Sequence, residues 1–181
     1  TVEAYRLEYV IQSLFASMIN NRLDEMSQKA ECPFAGAAVY FGDYWVSKTK
    51  AAFNLNVLAK EDAKAAFEAA FNEVVRACKT GFMDSELQRA KDNLLSRYEK
   101  SYNEREKTDS ENHAQELIRH FIDNVPAPGI ETEYQMLQQV LPMIPVQAFN
   151  EYAAQILTPT NQVILVSQPQ VEGKSLPQRE E

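Results

Sequence analysis

The sequence predicts an α+β fold in which an antiparallel sheet carries helices on one face, as a two-layer sandwich. Over most of the 181-residue chain apolar side chains recur at helical spacing, and two β-rich runs lie between the first and second predicted helices. A third run, Val163 to Val166, is aliphatic throughout, so we expect a strand buried on both faces. We predict one domain over residues 1–168 and a polar tail or linker over residues 169–181.

A long amphipathic helix is predicted at the start of the chain, from Val2 to Gln28, because no Gly or Pro interrupts the pattern. Pro33 and Gly36 then end the pattern in a loop. The apolar stripe of this helix consists of Leu7, Ile11, Leu14, Phe15, Met18, Ile19, Leu23 and Met26.

The two β-rich runs, Ala37 to Phe41 and Ala51 to Ala59, predict an antiparallel hairpin. In the second run apolar side chains alternate with Asn54 and Asn56, so this strand should be covered on one face only.

The hairpin loop, predicted from Gly42 to Lys50, carries two aromatic residues, Tyr44 and Trp45. These rings could bind a ligand, although packing over their own sheet is the commoner outcome for such a loop.

A second helical stripe ends at Gly81, which we expect to close the helix in a left-handed conformation. Small residues alternate with Phe along this stripe, which allows the helix to lie close to a sheet. Its members are Ala63, Ala66, Phe67, Ala70, Phe71, Val74, Val75 and Cys78.

Two further amphipathic helices are predicted between Gly81 and Asn124. Asp84 or Ser85 should cap the first of them, since Ser85 and Gln88 have capping-box spacing. The predicted buried faces are Leu87, Ala90, Leu94, Tyr98 and Tyr102 in the first helix, and Ala114, Leu117, Ile118, Phe121 and Ile122 in the second.

Two shorter helices complete the prediction. One runs from Glu131 to Leu141, and Pro145 begins the other at a favoured first-turn position. The inward side chains of the last helix are Phe149, Tyr152, Ala153, Ile156 and Leu157.

Composition excludes several classes of partner. A net charge of −8 argues against a nucleic-acid backbone, which requires clustered Lys and Arg. The sequence contains no apolar run long enough for a bilayer and no signal-peptide pattern at its start. Cys32 and Cys78 are too few and too far apart for a disulfide framework. Because the chain begins without Met inside a helical pattern, we expect a piece of a longer protein.

His113, Glu116 and His120 could form a zinc site, because they lie on one face of a predicted helix. Residues 113–117 also resemble an inverted zincin motif, H-x-x-E-H, but Leu117 stands where the second histidine belongs. We therefore favour a solvated helix face and predict no catalytic, cofactor-binding or metal-ligating residue in this chain. Hydrolysis that depends on His113 is the less favoured alternative.

Four segments in their order along the chain carry a resemblance to a known family. They are Asn21 to Met26, Cys32 to Ala37, Gly81 to Lys91, and the aliphatic run before Pro169. Together they resemble the non-catalytic, carboxy-terminal type of domain in the pitrilysin/insulinase family of zinc metallopeptidases.

The resemblance implies a parent zinc metalloendopeptidase that hydrolyses peptides, in which repeated α+β domains form two halves around a chamber. Zinc would be held by another domain of the parent, through H-x-x-E-H and a later glutamate, with no cofactor in this chain. The partners would be the other domains of the parent and, through the parent, a peptide substrate. Such a parent would lie in the bacterial periplasm or cytoplasm.

Two departures from the family refine this expectation. The arginine and the Gly-Tyr pair that the closing half supplies are not found between Ser27 and Ala37, so the second domain of the amino-terminal half is favoured. The family domain also begins with strands that this chain lacks, which would leave an unprotected sheet edge and favour a dimer. A catalytically silent scaffold or assembly subunit related to the family is the alternative function.

Overall fold

A computed structural model describes residues 2–44, 47–123, 125–158 and 160–167. The predicted α+β class with an antiparallel hairpin is confirmed. The elements in chain order are α1 (Val2–Ser27), β1 (Phe34–Tyr44), β2 (Ser47–Ala59), α2 (Ala63–Thr80), α3 (Asp84–Asn103), α4 (Ser110–Asp123), α5 (Ile130–Val140) and α6 (Val146–Ile156). Single 3₁₀ turns follow α3 and α5, at Arg105–Lys107 and Leu141–Met143.

The described residues group into two compact units, and the division falls within α1 and within α6. The first unit is drawn from Thr1–Phe15 and Phe82–Phe149, and the second unit from Ala16–Gly81 and Asn150–Glu181. The predicted tail, residues 169–181, lies outside the described residues.

In the second unit, β1 and β2 form the antiparallel hairpin, and Val39 faces Leu55 in its register. Both strands are longer than predicted, because pairing continues through Asp43 and Ala51 to a bulge before Tyr44. The predicted long loop was therefore wrong. Backbone hydrogen bonds extend the ladder where the hydrophobic alternation has already ended.

Helix α2 packs against both strands of the hairpin. The Asp62 carboxylate caps its start and accepts hydrogen bonds from the N–H groups of Lys64 (2.9 Å) and Ala65 (3.1 Å). Gly81 ends the helix with the predicted positive φ of 77°, although its ψ of −161° lies outside the left-handed helical region, and its N–H donates to the Ala77 carbonyl. A Cβ atom at this glycine would collide with the Asn150 side chain.

The buried face of α2 is rotated from the predicted one. Its buried residues are small apart from Val74 and Glu73, whereas Phe67 and Phe71 are half-buried and stack on each other. A stripe of small side chains lets the helix axis approach the sheet, so the bulkier residues lie at its flanks. The buried set is Ala66, Ala70, Glu73, Val74 and Ala77.

In the first unit, α3 packs against α5. Three of the five residues predicted for the inner face of α3 are buried, namely Leu87, Ala90 and Leu94. Tyr102, at the far end of the same face, stacks on Tyr134 of α5 with 5.3 Å between ring centroids. The predicted amphipathic face of α3 is therefore confirmed.

The start of α3 differs from the predicted cap. Met83 is the N-cap residue, and the Glu86 carboxylate accepts a hydrogen bond of 2.8 Å from the Met83 N–H. Capping by Asp84 or Ser85, and the box of Ser85 with Gln88, were therefore wrong. A glutamate three residues after the cap supplies the acceptor whether or not the cap side chain is polar.

Helix α4 forms where it was predicted, but its apolar face is not buried. Leu117, Ile118, Phe121 and Ile122 are 63%, 45%, 89% and 60% exposed. The prediction of a second buried face was wrong. An amphipathic pattern gives a helix one apolar face, but that face is buried only if another element packs against it.

The predicted strand from Val163 to Val166 is also wrong. The segment Gln162–Ser167 has no helical or strand assignment, and its four aliphatic side chains are 51–87% exposed. The residues have high β propensity, but a strand forms only when a neighbouring strand satisfies its backbone groups, and none in the described part of the chain does so.

None of the helices in the described ranges is long and apolar enough to cross a membrane.

Candidate functional site

The three residues considered for zinc binding all lie on α4. His113 and His120 are exposed and Glu116 is half-buried. The two histidines are seven positions apart, which corresponds to about 10 Å of helical rise, too far for both rings to reach one ion near 2 Å. The Nδ1 atom of His120 lies 2.8 Å from the Val125 carbonyl oxygen, so this nitrogen donates to a backbone acceptor.

These residues do not fit a zinc site. Glu116 and His120 lie close enough along the helix to share an ion, but no group of three or more His, Cys, Asp or Glu side chains converges among the described residues. We derive no metal-dependent step from this chain.

The two aromatic residues of the predicted hairpin loop fall at the end of β1 and beyond it. Trp45 lies outside the described residues, and Tyr44 is described only as the last residue of β1.

Both cysteines are free thiols. Cys32 is buried and Cys78 is half-buried. Burial raises the pKa of Cys78 from 9.0 to about 11, so its sulfur is protonated at neutral pH. A protonated thiol is a poor nucleophile, which makes Cys78 a packing residue.

In the second unit, the buried Glu73 carboxylate lies between two arginines. Glu73 is 8% exposed. It accepts hydrogen bonds from Arg76 Nε (2.8 Å) and Arg76 Nη2 (2.6 Å), while Arg22 Nη1 of α1 lies 3.6 Å from its Oε1. Arg22 also donates to the Gly81 carbonyl through Nη2 at 3.0 Å. The cluster therefore ties α1 to α2 and to the residue that ends α2.

Sequence reasoning missed this cluster. Glu73 stands between Ala70 and Val74 on the buried face of α2, and Arg76 follows at the spacing of a helical pair. A charge within an apolar stripe was the available signal. The third member, Arg22, comes from another helix and could not be paired from spacing.

The Asn20 side chain forms hydrogen bonds with the backbone of β1 in the same unit. Its Oδ1 accepts from the Val39 N–H at 2.7 Å, and its Nδ2 donates to the Val39 carbonyl at 3.0 Å. One amide thereby satisfies both backbone groups of a β1 residue, as a neighbouring strand would.

No protein-family model matches the chain. One relative, the "Zinc protease PQQL-like" protein of Arabidopsis thaliana, is 26% identical over 169 residues, which cover 93% of this chain and 14% of the relative. The crystal structure of the periplasmic protease PqqL from Escherichia coli matches with a TM-score of 0.76 and 22% identity, over 85% of this chain and 17% of that one.

A crystal structure of the first half of the same Escherichia coli protease also matches, with a TM-score of 0.76 and 21% identity. That match covers 85% of this chain and 33% of the half-protein. The chain therefore spans a small part of each of these proteins, 14% of the plant relative and 17% of full-length PqqL.

Proposed function

The chain is related to the zinc proteases described as PqqL-like, and from that relationship we propose that it is a non-catalytic structural and substrate-enclosing domain of a zinc metalloendopeptidase that hydrolyses peptides. The parent belongs, in this proposal, to the pitrilysin/insulinase type and binds its zinc in another domain. The observation that carries the proposal is the match over 93% of this chain to only 14% of a zinc protease.

The histidine content supports a non-catalytic role. A zincin site needs two histidines separated by a few residues on one helix, with a glutamate between or beside them. His113 and His120 are the only histidines of the sequence, and their separation on α4 is too large for one ion.

The exposed face of α4 supports a place inside a larger protein. Contiguous apolar surface of this kind marks an interaction site more often than a solvated surface. Leu117, Phe121 and Ile122 are each at least 60% exposed on one helix, and we assign their cover to another domain of the parent.

The first test compares this chain with a longer natural protein that contains it. Zinc content by mass spectrometry and cleavage of a fluorogenic peptide are measured on both. We expect about one zinc and peptide hydrolysis in the longer protein, and neither in the 181-residue chain. Stoichiometric zinc in the chain itself would refute the proposal, while zinc in neither protein would favour the silent scaffold.

Variants in the longer protein separate the roles. His113→Ala and His120→Ala should leave zinc content and kcat unchanged, whereas loss of zinc would place the metal on α4. Phe121→Asp, which charges the exposed apolar face, should disturb the domain contact and raise KM or lower stability. Gln115→Asp is the matched control, because Gln115 is exposed and polar on the same helix.

A further inference from the structure

The outer edge of β2, on the side away from β1, pairs with no other strand among the residues that the structure describes. Both the N–H and the C=O of Val39 bond to Asn20, so they point away from β2. Val39 and Leu55 are therefore a pair without mutual hydrogen bonds. In such a pair the N–H and C=O of the second residue also point outward, which directs those of Leu55 to the far edge of β2.

The same geometry repeats every second residue along β2. Ala51 and Val57 share the orientation of Leu55, because their partners, Asp43 and Ala37, lie an even number of residues from Val39. No other strand in the described part of the chain pairs with this edge.

From Ala51 to Ala59 this edge lacks the usual protection, whereas Lys48 and Lys50 charge the turn end of β2. Natural edge strands carry charges, prolines or bulges that prevent pairing with another chain. The stretch from Ala51 to Ala59 contains no charged residue and no proline, and the ladder is regular from Gly36 with Leu58 to Asp43 with Ala51. Its outer edge is therefore a template for an added strand.

The segment Gln162–Ser167 has the properties of such a strand. Val163, Ile164, Leu165 and Val166 are 79%, 64%, 87% and 51% exposed, and the segment contains no charge, Gly or Pro. Six residues in extended form span about 20 Å, the length of an ordinary strand. The segment and β2 belong to the same unit, yet the structure leaves them unpaired.

We propose that two copies of this chain associate by reciprocal strand exchange, in which Gln162–Ser167 of each copy adds to the outer edge of β2 in the other. Each copy carries one donor segment and one acceptor edge. A dimer with two-fold symmetry therefore forms two identical strand pairings and leaves no donor or acceptor unused. The uncharged donor matches the uncharged acceptor stretch Ala51–Ala59, which favours a second copy over a charged partner. The inference does not depend on the proposed peptidase role.

The test is sedimentation velocity on the 181-residue chain over a dilution series from about 1 to 200 μM. The unmodified chain should shift from monomer to dimer within this range. A chain that stays monomeric throughout would overturn the proposal.

Proline variants test the donor in either register. Successive N–H groups of a strand point to opposite sides, so one of Ile164→Pro and Leu165→Pro must remove a hydrogen bond to the acceptor edge. Both positions lie outside helices and strands, so folding of the monomer should persist. We expect the more damaging variant to raise the dissociation constant of the dimer at least about tenfold. The proposal fails if neither variant raises it.

Phe121→Lys is the matched control, because it charges the most exposed aromatic of α4 and leaves the donor unchanged. It should dimerise like the unmodified chain, and loss of the dimer in this variant alone would move the interface to α4.

Cross-linking locates the contact. A chain with Val57→Cys is mixed with a chain that carries Ile164→Cys, and a disulfide between them is expected. One chain carrying both substitutions should link mainly to a second copy. A disulfide that closes within a monomer would mean that the segment adds to its own sheet, which would overturn the exchange.

Discussion

Replacement of Glu73 by Ala should destabilise the second unit far more than replacement of its more exposed partner. The carboxylate is 8% exposed, and the Arg22 and Arg76 side chains are 12% and 57% exposed. Removing one partner of a buried ion pair typically costs 3–5 kcal/mol, because the remaining charge stays desolvated. Arg76 can hydrate after the change, so most of the cost falls on Arg22.

We therefore expect Glu73→Ala to lower the free energy of unfolding by about 3 kcal/mol, near the lower end of that range, because Arg22 keeps its bond to the Gly81 carbonyl. Arg76→Ala should cost less, about 1 kcal/mol, because the Glu73 carboxylate keeps Arg22 at 3.6 Å and water can enter the exposed Arg76 site. The measurement is urea denaturation followed by far-ultraviolet circular dichroism. Glu68→Ala on the exposed face of α2 is the control and should stay within about 0.5 kcal/mol of the unmodified chain.

The double variant Arg22→Met with Glu73→Leu checks the cause. If desolvated charge is responsible, an apolar pair of similar volume should recover most of the loss. A cost for Glu73→Ala no larger than that for Arg76→Ala would refute the reasoning, since it would mean that Arg22 does not need the carboxylate.

Three other expectations follow from single contacts. Gly81→Ala should destabilise by more than Gly129→Ala in urea titrations, because both glycines have positive φ but only the first would also collide with Asn150; equal costs would argue against that collision. Asp62→Ala should cost about 1 kcal/mol in the same titration through loss of the α2 cap, and an unchanged midpoint would contradict the capping role. At pH 8 iodoacetamide should modify Cys78 about 100-fold more slowly in the folded than in the unfolded chain, as peptide mass spectrometry would measure, given a pKa raised from 9.0 to about 11. The unfolded thiol ionises first, so stability should fall as pH rises from about 9 to 11; fast labelling would contradict the burial.

The local sequence pattern was sufficient to predict each of the helices α1 to α6. The end of Val2–Ser27 matched its prediction to within one residue, because the apolar period is uninterrupted and a proline loop follows it. The hairpin was predicted for a similar reason, since the alternation of side chains along a strand is a local signal, although the length of its loop was wrong.

The wrong predictions concern which surfaces and side chains of the chain contact each other. The apolar face around Leu117 and Phe121 and the aliphatic run around Leu165 have the composition of buried elements, yet both are exposed. Periodicity describes one surface, and burial needs a second surface whose position depends on contacts far away in sequence. The pairing of Arg22 with Glu73 was missed for the same reason, because two separate helices bring the charges together.

The Asn20 amide has a consequence for aggregation. A cross-β fibril grows because every rung is hydrogen-bonded on both sides, and each added copy presents a new template. Asn20 occupies the middle of one side of this hairpin with a side chain that cannot be extended by another strand. The hairpin can therefore terminate a stack but is poorly suited to be an interior rung, and crowding of this chain should yield particles of limited size in preference to fibres.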